Sequence, residues 1–165
     1  MVFKDRIYTV TEYEAFAARH PSRRFELIDG EIIEKMPTQV HAYIVGMLSG
    51  FLFIFLRQNP IGYALVEARY ALPDDPENSR IPDLSFISQN RGKLVAEGAA
   101  PYMPDLAVEV QSPGQSDRLM TQKAAYYLEH GSRSVCLIYP DHCLVEVLTD
   151  DDRYLLTDAA ILDGG

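Results

Sequence analysis

The chain has 165 residues, 47% hydrophobic and 24% charged, with a formal net charge of −9. Size and balance suit one globular domain over 1–165, built on one core. The acidic balance argues against broad electrostatic binding to nucleic acid, which needs basic surface, but not against chemistry on phosphodiesters, because bound cations supply local positive charge where carboxylates cluster.

In chain order, Thr9-Val10-Thr11-Glu12 reads as a capping box, and Tyr13, Phe16 and Ala17 follow at helical spacing to a stop near His20-Pro21. Residues 25–28 and 31–34 read as strands joined by Asp29-Gly30, a hairpin turn. Pro37 breaks the chain, and the apolar run 40–56 is too long for a strand, which predicts a buried helix. None of the apolar runs reads as a bilayer span, and Met1-Val2-Phe3-Lys4-Asp5 lacks the apolar core of a leader. No membrane partner is expected, and the cytoplasm is the expected location.

Residues 63–72 alternate as one long strand, 73–79 form a polar loop, and 81–87 form the next strand. A loop with a short helical piece is expected over 88–103, then a strand over 106–111. Ser112-Pro113-Gly114-Gln115-Ser116 turns into a helix of about three turns that stops at Gly131. Strands are expected over 135–139, 143–148 and 154–156. Cys136 and Cys143 fit no zinc or redox spacing, and Cys136, within an apolar run, reads as a buried free thiol rather than half of a disulfide. This order predicts an α/β fold of the α+β kind, a central mixed sheet with helices packed on it.

Three acids fall in strands where the pattern predicts core: Glu26, Asp83 and Glu109. An ionised side chain there is costly to bury unless paired. A hard cation such as Mg²⁺, held by few carboxylates plus water and phosphate, provides one partner. The plainer account has Asp83 capping a turn after Pro82 and Glu109 pairing with an arginine. Lys123 bears on the choice: it falls inside the apolar stripe of Met120, Ala124, Tyr127 and Leu128, where it must snorkel or meet an anion. His41, at a helix start, reads as a capping or solvent-bonded residue before it reads as a phosphate contact. Arg80 stands near the expected cleft or pairs with the 74–77 loop. Tyr126 and Tyr127 read as packing residues.

Arg80-Ile81-Pro82-Asp83 and Val108-Glu109-Val110-Gln111-Ser112-Pro113 resemble the PD-(D/E)xK nuclease signature. Together with Phe25-Glu26-Leu27-Ile28-Asp29-Gly30-Glu31, His41, Lys123, Tyr127 and Gly131, the chain resembles the Uma-type restriction endonuclease family over most of its length. The resemblance implies a restriction-endonuclease-like core, a Mg²⁺ site (Mn²⁺ substituting) held by Asp83, Glu109 and the Val110 carbonyl, and Glu26 as an outer acid. It also implies DNA as the partner and a homodimer as a reasonable assembly. The family lysine normally stands two residues after the glutamate, where this chain has Gln111, so Lys123 is expected to take its role beside Gln111. Arg80 and His41 are the candidate substrate contacts. A catalytically inactive descendant that binds nucleic acid or protein is the competing account, supported by Gln111 and the acidic surface. A carboxylate-pair glycosidase is disfavoured by the absence of tryptophan.

Overall fold

The capping box forms as expected, with the Thr9 N–H donating to the Glu12 carboxylate at 2.9 Å, and it opens α1 (Val10–Ala18). This computed structural model describes residues 2–3 and 6–157, so Met1, Lys4 and Asp5 of the leader reading lie outside the described residues. The hairpin of β2 (Arg24–Ile28) and β3 (Glu31–Lys35) turns through Asp29 at φ 49° and Gly30 at φ 75°. Both are left-handed, as a two-residue hairpin turn requires. With β1 (Val2–Phe3) they make a three-stranded sheet in the order β1-β3-β2. Strand alternation divides its faces. Phe25, Leu27 and Ile32 pack on Tyr13 of α1, which leaves Glu26, Ile33 and Lys35 on the other face.

The second sheet runs in the order β4 (Gly62–Val66), β5 (Leu84–Ser88), β6 (Leu106–Val110), β7 (Ser134–Tyr139), β8 (Leu144–Thr149) and β9 (Arg153–Leu156). Its β6–β7 pair is parallel and the others are antiparallel. Helix α3 (Asp117–Glu129) makes the crossover that a parallel pair needs. One face of the sheet packs Leu84, Val108, Val110 and Ile138 against Val45 of α2 (Gln39–Gln58). The other packs Ala107, Val135 and Leu137 against Met120, Ala124 and Tyr127 of α3. Each fully buried apolar side chain contributes about 1.5–3 kcal/mol. The mixed sheet with helices on both faces is the expected fold class.

Several expectations need correction. The helix predicted over 40–56 forms, but it is not buried: Val40, Tyr43, Met47, Phe51, Phe53, Ile54 and Phe55 are exposed. It is also long and apolar enough to cross a membrane, contrary to the reading that no run is. Hydrophobicity reported the length of the helix but not how much of it the sheet could cover.

The long strand over 63–72 ends instead at Val66, because Glu67 adopts φ 50° and breaks the pleat. Tyr70 makes only isolated bridges, to Arg80 and Ala100. Strand β5 starts at Leu84, after the Pro82-Asp83 pair, and 88–103 contains turns without a helical piece. Cys143 is left-handed, so β8 starts one residue later, and both cysteines are free.

Candidate active site

The acids gather where the two sheets meet the amino-terminal ends of α2 and α3. Glu109 shares the α3 face of β6 with Ala107, since period two sends Val108 and Val110 to the opposite face. Asp83 ends the loop before β5, where its Oδ2 accepts the Val110 N–H at 2.8 Å. Glu26 comes from the open face of the small sheet, and its Oε1 accepts the Ile81 N–H at 3.1 Å. All three acids are at most 2% exposed.

Two lysines pair with them. Lys123 Nζ lies 2.8 Å from Glu26 Oε2 and 2.9 Å from Glu109 Oε2, bridging the two sheets. The other Glu109 oxygen accepts the Tyr127 hydroxyl at 2.9 Å. Lys35 Nζ donates to Asp83 Oδ1 and to the Ile81 carbonyl, each at 2.7 Å. His41 Nε2 meets Asp83 Oδ2 at 3.0 Å. An ionised carboxylate only accepts, so that ring nitrogen carries its proton toward Asp83. The Thr38 hydroxyl caps α2 by accepting the His41 N–H at 3.2 Å and so fixes the turn that carries the ring.

Burial raises the Asp83 carboxyl, but the His41 hydrogen bond and the Lys35 charge outweigh it and hold the group far below the usual carboxylate range. Burial also raises Glu26, which Lys123 and Lys35 together bring below its ordinary value. Glu109 goes the other way: burial lifts it, Lys123 offsets only part, and Glu26 and Asp83 lift it further. Burial depresses Lys123 and Lys35, yet the adjoining carboxylates bring both above an ordinary lysine. Burial and then the Glu109 charge push the Tyr127 hydroxyl well up.

A cleft of about 260 Å³ opens on this cluster, bordered by Lys35, His41, Asp83, Glu109, Val110 and Lys123. Glu67, strained at φ 50°, borders it too, and its N–H donates to the Asp83 carbonyl at 3.3 Å.

The structure brings together Glu26, Asp83, Glu109, Val110, Lys123 and His41, and leaves two candidates aside. Gln111 turns away, its amide donating to the Gln115 carbonyl at 3.0 Å and to Asp117 Oδ1 at 2.8 Å at the start of α3. Arg80 is only 1% exposed, its guanidinium stacked 3.9 Å over the Tyr126 ring, which removes it from substrate contact. His41 is buried and bonded to Asp83 rather than solvated. Lys35 is the principal residue missed; its register opposite Arg24, two places beyond the Glu26–Ile33 pair, was the available signal.

An Asp just before one strand, a Glu on the neighbouring strand and a helix lysine border one cleft, with an outer Glu paired to that lysine. On a mixed sheet with helices on both faces, this arrangement fits the restriction-endonuclease-like class of nuclease. The family model described as "Uma2: Putative restriction endonuclease" matches residues 10–164, and the chain belongs to that family. Among solved structures it is similar to a "putative nuclease belonging to DUF820" from Anabaena variabilis, with a TM-score of 0.78 and 26% identity over 93% of this chain and 87% of that one. No curated protein matches the chain.

Proposed function

We propose that the chain is a cytoplasmic, metal-dependent endonuclease that hydrolyses DNA phosphodiester bonds, working as a homodimer with one site for each strand. The observation that carries this reading is the shared cleft of Asp83, Glu109 and Lys123. The donor set suits a hard divalent cation: carboxylate and carbonyl oxygens are what Mg²⁺ prefers, and it needs few of them. Among the described residues no group of three or more His, Cys, Asp and Glu is placed to hold a metal, and the proposed set is two carboxylates and one backbone carbonyl. In an extended strand the N–H and C=O of one residue point to the same side, which turns the Val110 carbonyl toward Asp83 along with its N–H. Three carboxylates against two lysines leave a net negative charge before His41 is counted.

Asp83, Glu109 and the Val110 carbonyl would hold Mg²⁺ or Mn²⁺, which when bound polarises a phosphoryl oxygen and lowers the pKa of water. Lys35 and His41 hold the Asp83 carboxylate ionised and fixed in direction. Lys123 fixes Glu109 and presents a cation toward the phosphate. Glu26 keeps Lys123 charged from behind. Water attacks phosphorus in line, one P–O bond forms as another breaks, and the departing oxygen takes up a proton.

Cleavage of supercoiled DNA in Mg²⁺ or Mn²⁺ tests this. Asp83→Asn and Glu109→Gln each lower the rate by at least about 100-fold, since each loses several kcal/mol of charge stabilisation. Undiminished cleavage in both variants would refute the assignment. A second reading, a non-catalytic descendant that binds nucleic acid or protein, draws on the protein donors already made to every carboxylate oxygen of Asp83, Glu26 and Glu109. Calorimetric titration separates the two: absence of binding heat at millimolar Mg²⁺ and micromolar Mn²⁺ selects the second.

A further inference from the structure

Helix α2 packs only one side on the sheet, through Val45, Ser49 and Leu56. At 100° per residue, Val40, Tyr43, Met47 and Ile54 line up on the opposite side with Phe51 beside them. Their exposures run from 44% for Met47 to 69% for Tyr43. The steps of three and four are those of a coiled-coil seam, here turned to solvent. Phe53 and Phe55, also exposed, widen the face on its two flanks.

Scaled from about 150–250 Å² for a whole aromatic side chain, these seven residues expose on the order of 700 Å² of apolar surface. That exceeds the largest patch of a typical monomer, about 300–600 Å². It approaches the roughly 800 Å² that each partner contributes to a stable interface.

We propose that this face docks a second copy of the chain, α2 against antiparallel α2 across a two-fold axis. The inference rests on the homodimer of the proposed function and supplies its surface. An antiparallel register about Met47 sets Met47 against its own copy, Tyr43 opposite Phe51, and Val40 opposite Ile54. Each pair occurs twice, as an isologous contact demands. Gly46 and Gly50 have no atom within 4 Å of where a Cβ would stand, which leaves room for close approach beside Met47 and for the Tyr43 ring.

Charge favours the same occupant. Arg57 is the one charged residue of α2, so two chains of net charge −9 meet here without opposing charges. A nucleic acid finds no row of cations on this face. Helices that lie on lipid carry a polar face rich in Lys and Arg, whereas the opposite side of α2 is packed on the sheet. The same helix holds His41 against Asp83, so docking braces an element of the site.

Sedimentation equilibrium of the full chain reads the outcome. The wild type gives twice 18.6 kDa, while Met47→Glu and Ile54→Glu give 18.6 kDa with unchanged circular dichroism and a Tm that, unlike the wild type's, does not rise with protein concentration. Met47→Cys in a Cys143→Ser background forms an oxidised, cross-linked dimer. A monomeric wild type at about 100 µM, a dimer undiminished in both Glu variants, or vesicle binding that those variants abolish would overturn the inference. A dimer without cleavage leaves the docking face standing and removes the nuclease reading, whereas a cleaving monomer does the reverse.

Discussion

Lys123 carries two buried carboxylates on one ammonium, and removing it leaves Glu26 and Glu109 close together with no shared cation. Breaking such a cluster from one side typically costs about 3–5 kcal/mol. Lys123→Met is therefore expected to lose stability on that scale in urea unfolding, and adding Glu109→Gln recovers part of it. Asp83 sets the acid limit. Its folded carboxyl lies far below the unfolded value of about 3.9, so its contribution is complete above that pH and is lost as pH falls from there toward the folded value. Lys35 acts at the other end: its ammonium is raised, so its contribution is complete below about 10.4 and is lost as pH climbs past the folded value. Urea midpoints of the wild type and Asp83→Asn run parallel from pH 7 to about 4, and below that the wild type falls more steeply; curves still parallel at about pH 2 would contradict the pairing.

At the scale of elements, caps and turns aim the side chains. Thr38 closes the first turn of α2 and so points His41 at Asp83. Thr38→Ala costs about 1 kcal/mol and loosens the His41–Asp83 bond, which the ring proton shifts of His41 would report. Gly62 opens β4, where a Cβ would strike the Ile87 carbonyl oxygen and the Phe86 ring. Gly62→Ala therefore costs about 1–3 kcal/mol by overpacking, read as a lowered Tm. The capping box, the Asp29-Gly30 turn and the stop at Gly131 were legible in the sequence because each depends on residues a few places apart. The end of β4 at Glu67 was not, because an uncommon backbone angle at a glutamate has no local signature.

Taken whole, the molecule pairs each of its three buried site acids with a lysine of its own. The lysines bonded to all three carboxylates make the fold independent of a bound cation. A chelator is expected to leave Tm unchanged, whereas Mn²⁺ at about 100 times its Kd adds about 2.7 kcal/mol by mass action. Collapse of the fold in chelator would contradict the role given to Lys35 and Lys123.

From the sequence alone came the pattern of strands and helices, the mixed-sheet class, and Glu26, Asp83, Glu109 and Lys123 as residues to watch. All of these follow from local periodicity, or from a charge interrupting an apolar stripe. Tertiary structure decided what those charges face. Lys35 and His41 reach Asp83 across 48 and 42 residues of chain, and no spacing rule connects them. It also turned Gln111 away, sealed Arg80 behind Tyr126 and left half of α2 in solvent. Burial and pairing belong to surfaces that exist only once distant segments have packed.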